Sequence, residues 1–188
     1  MLTLNQHRID QAQWCPSPNY NDRPDATAIS LLVVHNISLP PGQFGGPYIE
    51  DLFLNRLDAQ AHPYFQGISQ LRVSSHFLIR RDGRLLQFVA CDKRAWHAGV
   101  SSFEGRENCN DFSLGIELEG ADDIPYEAAQ YDALAAVTAL LQQHYPAIAD
   151  ERITGHENIA PGRKTDPGPA FDWQDFRRRL TAVKGGMR

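Results

Sequence analysis

The strongest pattern in the chain is Leu31-Leu32-Val33-Val34, four consecutive apolar residues rich in β-branching that end on His35 and Asn36. Such a run reads as a short strand buried on both faces. The proline-rich stretch before it, residues 16–24, reads as extended coil. After the glycine- and proline-rich turn at 40–46, a helix is expected over 47–57, because Ile49, Leu52, Phe53 and Leu57 share one face and Pro47 suits a first turn. Residues 58–70 show no period. Residues 73–80 and 85–89 read as two strands of a hairpin around Arg81-Asp82-Gly83-Arg84. Residues 91–111 read as a polar loop, and 112–119 alternate as a strand. The clearest helix covers 128–145, with Leu134, Val137, Leu141 and Tyr145 on one face and Pro146 as its stop. Trp173, Phe176 and Leu180 mark a last short helix with Asp172 as N-cap. With no repeat or linker, the pattern predicts one α/β domain over residues 1–188, a central mixed sheet flanked by helices.

Bulk properties narrow the partners more than the fold. A chain of 188 residues supports one sizeable core. A net charge of −5 argues against nucleic acid, whose phosphates need a basic face. No apolar run approaches the roughly 18 residues of a membrane span, and the first residues lack the apolar stretch of an export signal. A cytoplasmic protein with no membrane partner is therefore expected. Cys15, Cys91 and Cys109 are odd in number and form no Cys-x-x-Cys pair, which fits free thiols in a reducing compartment. Nothing local supports Cys91 and His97 as nucleophile and base.

Candidate chemistry sits at a strand end and in the late loops. His35 closes the buried strand, and His156 and Asp166 lie ten residues apart in a segment punctuated by Pro161, Gly162, Pro167, Gly168 and Pro169. Those breakers argue for a shaped loop rather than a helix. Two imidazoles and one carboxylate would leave a fourth position open on Zn²⁺, as catalytic sites do. Asp166 precedes a proline and so favours extended backbone. Lys164, two residues earlier, should then point to the same side. In the strand Leu114-Gly115-Ile116-Glu117-Leu118-Glu119, both glutamates share one face, roughly 6.5 to 7 Å apart. One of them could reach a cleft as general base. The pair also keeps a glycosidase open, since that chemistry needs two nearby carboxyls. It would leave the His-His-Asp set unexplained.

These residues belong to a larger set of blocks: Leu31-Leu32-Val33-Val34-His35-Asn36-Ile37-Ser38, His62-Pro63-Tyr64-Phe65, Val73-Ser74-Ser75-His76, Ala95-Trp96-His97-Ala98-Gly99, Gly115-Ile116-Glu117-Leu118-Glu119-Gly120, Thr154-Gly155-His156 and Lys164-Thr165-Asp166-Pro167-Gly168. In order and spacing they span about residues 15–176. The sequence resembles the zinc N-acetylmuramoyl-L-alanine amidases of the phage-lysozyme and peptidoglycan-recognition superfamily, and within it the AmpD-type recycling amidases. The resemblance implies a type-2 amidase fold, with His35, His156 and Asp166 as zinc ligands. It further implies Glu117 over the metal and Lys164 as an electrophilic partner. It points to a small muropeptide partner, cut between the lactyl group of a 1,6-anhydro-muramoyl sugar and L-Ala, and a monomer is the favoured state. Trp96 would face the sugar, Asn36 would bond the acetamido group, and Arg72 and Arg106 would pair with carboxylates of the ligand. Glu119, His76 and His97 fall in these blocks; no chemistry is assigned to them, and each is expected to be structural, orienting a ligand or closing a loop. The same chemistry on ordinary muropeptides or polymeric peptidoglycan, and a non-enzymatic muropeptide sensor, remain the alternatives.

Overall fold

The apolar run at 31–34 lies in an interior strand of a sheet, with a neighbour on each side, where its two-sided hydrophobicity belongs. The structure is a computed structural model and describes residues 2–25 and 29–186. Its sheet contains β1 (Gln13–Trp14), β2 (Leu31–Ile37), β3 (Phe77–Ile79), β4 (Leu85–Gln87), β5 (Ser113–Glu119) and β6 (Ile153–Gly155). Their spatial order is β6-β2-β5-β3-β4-β1. The pairs β6–β2, β2–β5, β5–β3 and β4–β1 are parallel, while β3 and β4 form the antiparallel hairpin. Gly83, at the expected turn, has φ +84°, which suits glycine.

Alternation along the two central strands sorts the layers. Leu32, Val34, Leu114, Ile116 and Leu118 pack into one core with α2 (Ala128–His144) and α4 (Trp173–Gly186), through Leu134, Val137, Leu141, Phe176 and Leu180. On the opposite face, Leu31 and Val33 pack with Ala98, Phe112 and Ile159, the last of these in α3 (His156–Ile159). Beyond β5 on that face, Leu78 and Leu86 meet Ile49, Leu52 and Phe53 of α1 (Tyr48–Phe53). The architecture is α/β, with a mixed sheet between helices. No described helix is long and apolar enough to cross a membrane.

Several boundaries differ from the expectation. Helix α1 stops at Phe53 rather than 57, and Asn55 just beyond takes a left-handed φ of +58°, which ends a helix. Residues 73–76 do not join the strand that follows. Ser74 is turned to cross-link loops, its hydroxyl donating to the Asn19 carbonyl and accepting from the Trp96 N–H. The loop at 91–111 carries a short strand, Lys93–Ala95, paired with Tyr20–Asp22, and a hairpin of Ser102–Phe103 with Arg106–Glu107. The segment after residue 155 begins with one helical turn, α3, before its loop. The breakers start only at Pro161, so they do not forbid a helix that ends at 159. Asp172 caps α4 as expected, its Oδ1 accepting the Asp175 N–H at 2.9 Å.

Candidate metal centre

Parallel pairing sets the first two side chains. β2 and β5 align with His35 beside Glu117, so both leave the same face near the carboxyl ends of their strands. His156 follows directly on β6 and opens α3. Asp166 is drawn to it by the Glu157 N–H, which donates to the Asp166 carbonyl at 2.9 Å, and by Pro167 packing on Gly155. A Cβ at Gly155 would stand 2.8 Å from Pro167 Cδ, so only glycine permits that approach.

The three side chains converge. His35 Nδ1, His156 Nδ1 and Asp166 Oδ2 lie 3.0 Å from one another along all three edges. Both imidazoles are buried, and the carboxylate is partly exposed toward the cleft. His156 Nε2 lies 3.0 Å from the Ala98 carbonyl, which can only accept. A neutral His156 therefore carries its hydrogen on Nε2 and shows a bare lone pair at Nδ1. That lone pair and the Asp166 carboxylate face each other with no hydrogen between them, an arrangement that calls for a cation. Burial pulls the His35 imidazole down to about 4 against the opposing pull of Asp166, with His156 and Lys164 adding to the fall, so this ring is neutral at pH 7. Donors at about 2.0–2.1 Å from a tetrahedral first-row ion stand about 3.3 Å apart. The observed edges of 3.0 Å fall a little inside that spacing, and the chemistry of the donor set fits a metal ion.

Glu117 stands beside this triad, 8% exposed, and its Oε2 has no hydrogen-bond partner among the described residues. Burial pushes its carboxyl well above the usual range, the Asp166 charge pushes further, and Lys164 opposes both. Lys164 is itself exposed and lines the same cleft as Glu117, His156 and Asp166. The cleft measures about 460 Å³, a size suited to a small ligand. Leu39, Tyr64 and Trp96 supply apolar and aromatic wall, with Asn36 and Asp122 on the polar side.

The remaining sequence candidates divide. Trp96 lines the cleft with its indole N–H anchored on Asn21 Oδ1 at 2.7 Å. Asn36 also lines it, but its amide group donates to Asp122 Oδ1 at 2.8 Å and to the Pro167 carbonyl at 3.1 Å. Asn36 thus braces the loop that carries Asp166. Arg72 turns back on its own loop, donating to the Gln70 and Leu71 carbonyls, and Arg106 lies over the Phe112 ring at 4.1 Å. Neither is in the cleft wall.

Glu119 leaves the same strand face as Glu117 but is taken up elsewhere. It accepts from the Gly45 N–H and from Arg80 Nη1, each at 2.6 Å, and from the Arg81 N–H at 3.2 Å. With its oxygens committed to an internal ion pair, the two-carboxylate glycosidase loses its second group. His76 is a buried cross-link: its Nδ1 accepts the Gly115 N–H at 3.0 Å, and its Nε2 lies 3.0 Å from the Lys93 carbonyl. His97, expected only as a structural or ligand-orienting residue, has its Nδ1 2.9 Å from His35 Nε2 and its Nε2 3.1 Å from Ser113 Oγ. The one signal for it in the sequence is Gly115, a glycine inside an otherwise regular strand, which often marks close approach by another group.

Comparison with known proteins identifies the family. The profile of the N-acetylmuramoyl-L-alanine amidase family matches residues 25–169. The chain is 62% identical to the 1,6-anhydro-N-acetylmuramyl-L-alanine amidase AmpD of Citrobacter freundii, over 96% of each chain. A crystal structure of a selenomethionine AmpD derivative superposes with a TM-score of 0.92 at 62% identity, covering 95% of this chain and 99% of that one. Pseudomonas aeruginosa AmpDh3 in complex with anhydromuramic pentapeptide superposes at 0.60 with 30% identity, covering 83% of this chain and 61% of that one. The match extends through every element that carries the cleft, and the chain belongs to the N-acetylmuramoyl-L-alanine amidase family.

Proposed function

We propose that this chain is a zinc-dependent amidase that hydrolyses the lactyl–L-Ala amide of 1,6-anhydro-N-acetylmuramoyl peptides during cytoplasmic recycling of peptidoglycan. The observation that carries the reading is the triad of His35, His156 and Asp166, two of which line the cleft, with Glu117 beside it, whose Oε2 has no hydrogen-bond partner among the described residues. Support for the substrate comes from the relatives, named for the anhydro sugar or crystallised with an anhydromuramic peptide. Residues 1–188 act in this reading as a single amidase domain, taking a soluble muropeptide as a monomer.

When bound, zinc supplies Lewis acidity, polarising the scissile carbonyl and acidifying a water. Glu117 takes a proton from the attacking water and delivers it to the leaving L-Ala nitrogen. Its raised pKa suits both halves of that transfer, because the carboxyl can hold the proton between them. The water oxygen first adds to the carbonyl carbon, moving the C=O electron pair onto oxygen; collapse of that adduct then breaks the C–N bond, and the protonated nitrogen leaves as the free amine of the peptide. Lys164 places positive charge where the carbonyl oxygen becomes negative. Trp96 and Tyr64 offer aromatic faces to the sugar side of the cleft.

Purified protein incubated in parallel with anhydro and reducing-end muropeptides tests the reading by mass spectrometry. Release of free peptide from the anhydro form, abolished by chelator and restored by zinc, is the expected result. Chelator-resistant release, or faster release from the reducing sugar, would overturn it.

A further inference from the structure

His35 and His156 stand on different elements, yet both turn Nδ1 toward Asp166. A ring that gives one nitrogen to a metal must place the hydrogen of its other nitrogen on an acceptor, and that acceptor fixes the ring. Here both acceptors come from two consecutive residues of one loop. The Ala98 carbonyl takes the Nε2 hydrogen of His156 and is pinned from the other side by Arg163 Nη2 at 2.7 Å. For His35 the only group within reach of Nε2, among the described hydrogen bonds, is His97 Nδ1 at 2.9 Å.

His97 is itself held on several sides. Ser113 Oγ lies 3.1 Å from its Nε2, and its backbone N–H and that of Ala98 both donate to Asn110 Oδ1, at 3.1 and 2.8 Å. The ring meets His35 edge-on at an interplanar angle of 87°. It lies directly over Gly115, where a Cβ would come within 2.6 Å of its Cγ and Nδ1. β5 has therefore given up a side chain at the one position that lets this ring reach His35.

We propose that His97, backed by Ser113 and seated on Gly115, is a positioning residue that accepts the Nε2 hydrogen of His35 and thereby presents a bare Nδ1 to the metal. The proposal rests on the metal reading above. His97 also lines the cleft, but it is assigned no contact with the reacting atoms and its effect passes through His35, which is why the test reads zinc affinity and ring protonation rather than turnover.

The test is zinc affinity of the full chain, measured by competition with a chelator of known strength, alongside ¹⁵N NMR of the ring nitrogens in zinc-loaded protein. His97→Leu removes the acceptor, whereas His97→Asn places an amide oxygen near the position of Nδ1. H97L should bind zinc about 10- to 100-fold more weakly, and H97N should recover most of that loss. The His35 Nε2–H signal should persist in H97N and shift or exchange rapidly in H97L. Gly115→Ala keeps every polar atom and pushes the ring away, so it should weaken zinc without any change at residue 97 and serves if H97L does not fold. Zinc affinity unchanged in H97L or G115A, or H97N as weak as H97L, would overturn the positioning role. A parent chain that binds no zinc would instead remove the metal reading, and this inference with it.

Discussion

At the scale of single residues, the proposed reading separates groups that would hold the metal from groups that would do chemistry, and the separation can be measured. Glu117 touches the cleft but lies outside the triad, so Glu117→Ala should retain zinc stoichiometry while kcat falls about 10²- to 10⁴-fold, the usual worth of a general acid–base group. A variant with near-normal kcat would remove the role. Lys164→Ala should lower kcat by about 10²- to 10³-fold with little change in KM, as for loss of one oxyanion donor. A rise in KM alone would make the lysine a binding group. The residues behind these predictions were legible because each has a local signature: a histidine at the end of a buried strand, an aspartate just before a proline with a lysine two residues earlier, a glutamate alternating with apolar positions. Glu119 shares that signature with Glu117 and yet serves another purpose, because the alternation gives a face and not a position along it. His97 could be placed no further than a structural or ligand-orienting role, for the opposite reason. Its partners, His35 and Ser113, are 62 and 16 residues away, and only the tertiary fold joins them.

At the scale of elements, the loop at 38–47 forms part of the cleft wall and is moored to the sheet by one buried ion pair. Arg80 donates to Glu119, to the Gly46 carbonyl and to Glu50, while Glu119 also receives the Gly45 N–H. The Arg80 and Glu119 side chains are 4% and 2% exposed, so removing one partner strands a buried charge. Arg80→Met should cost about 3–5 kcal/mol of stability. It should also raise KM, since Leu39, Pro41 and Gly42 would lose their fixed place in the wall. Urea unfolding together with steady-state kinetics checks both. A stable variant with unchanged KM would show that the mooring is not needed. Periodicity revealed that β5 and α2 exist almost to the residue, because each buries a regular stripe. It misjudged the start of the hairpin and the first turn after residue 155. In those places side-chain cross-links and a late proline, not periodic burial, decide the backbone.

At the scale of the whole molecule, acid should weaken the fold through a histidine that takes no part in the proposed chemistry. His76 is fully buried, with Nδ1 facing the Gly115 N–H and Nε2 facing the Lys93 carbonyl. Adding a proton would set an N–H against the Gly115 N–H, with the Arg23 guanidinium close by. Burial first, and the Arg23 charge second, accordingly hold the imidazole down to about 3. An unfolded chain would protonate the same ring near 6.5. Between those values the unfolded state binds a proton that the folded state refuses, so stability contributed at neutral pH is lost as pH falls from about 6.5 toward 3, at about 1.4 kcal/mol per unit. His76→Asn offers an oxygen to the Gly115 N–H but cannot titrate. Urea unfolding of metal-free protein at several pH values between 7.5 and 4.5 should give a shallower acid decline for H76N than for the parent, by about that slope. The other buried histidines and the carboxylates are common to both chains and cancel in the difference. Parallel stability curves would mean that His76 is protonated without penalty in the folded state, and that the Gly115 contact does not set its form.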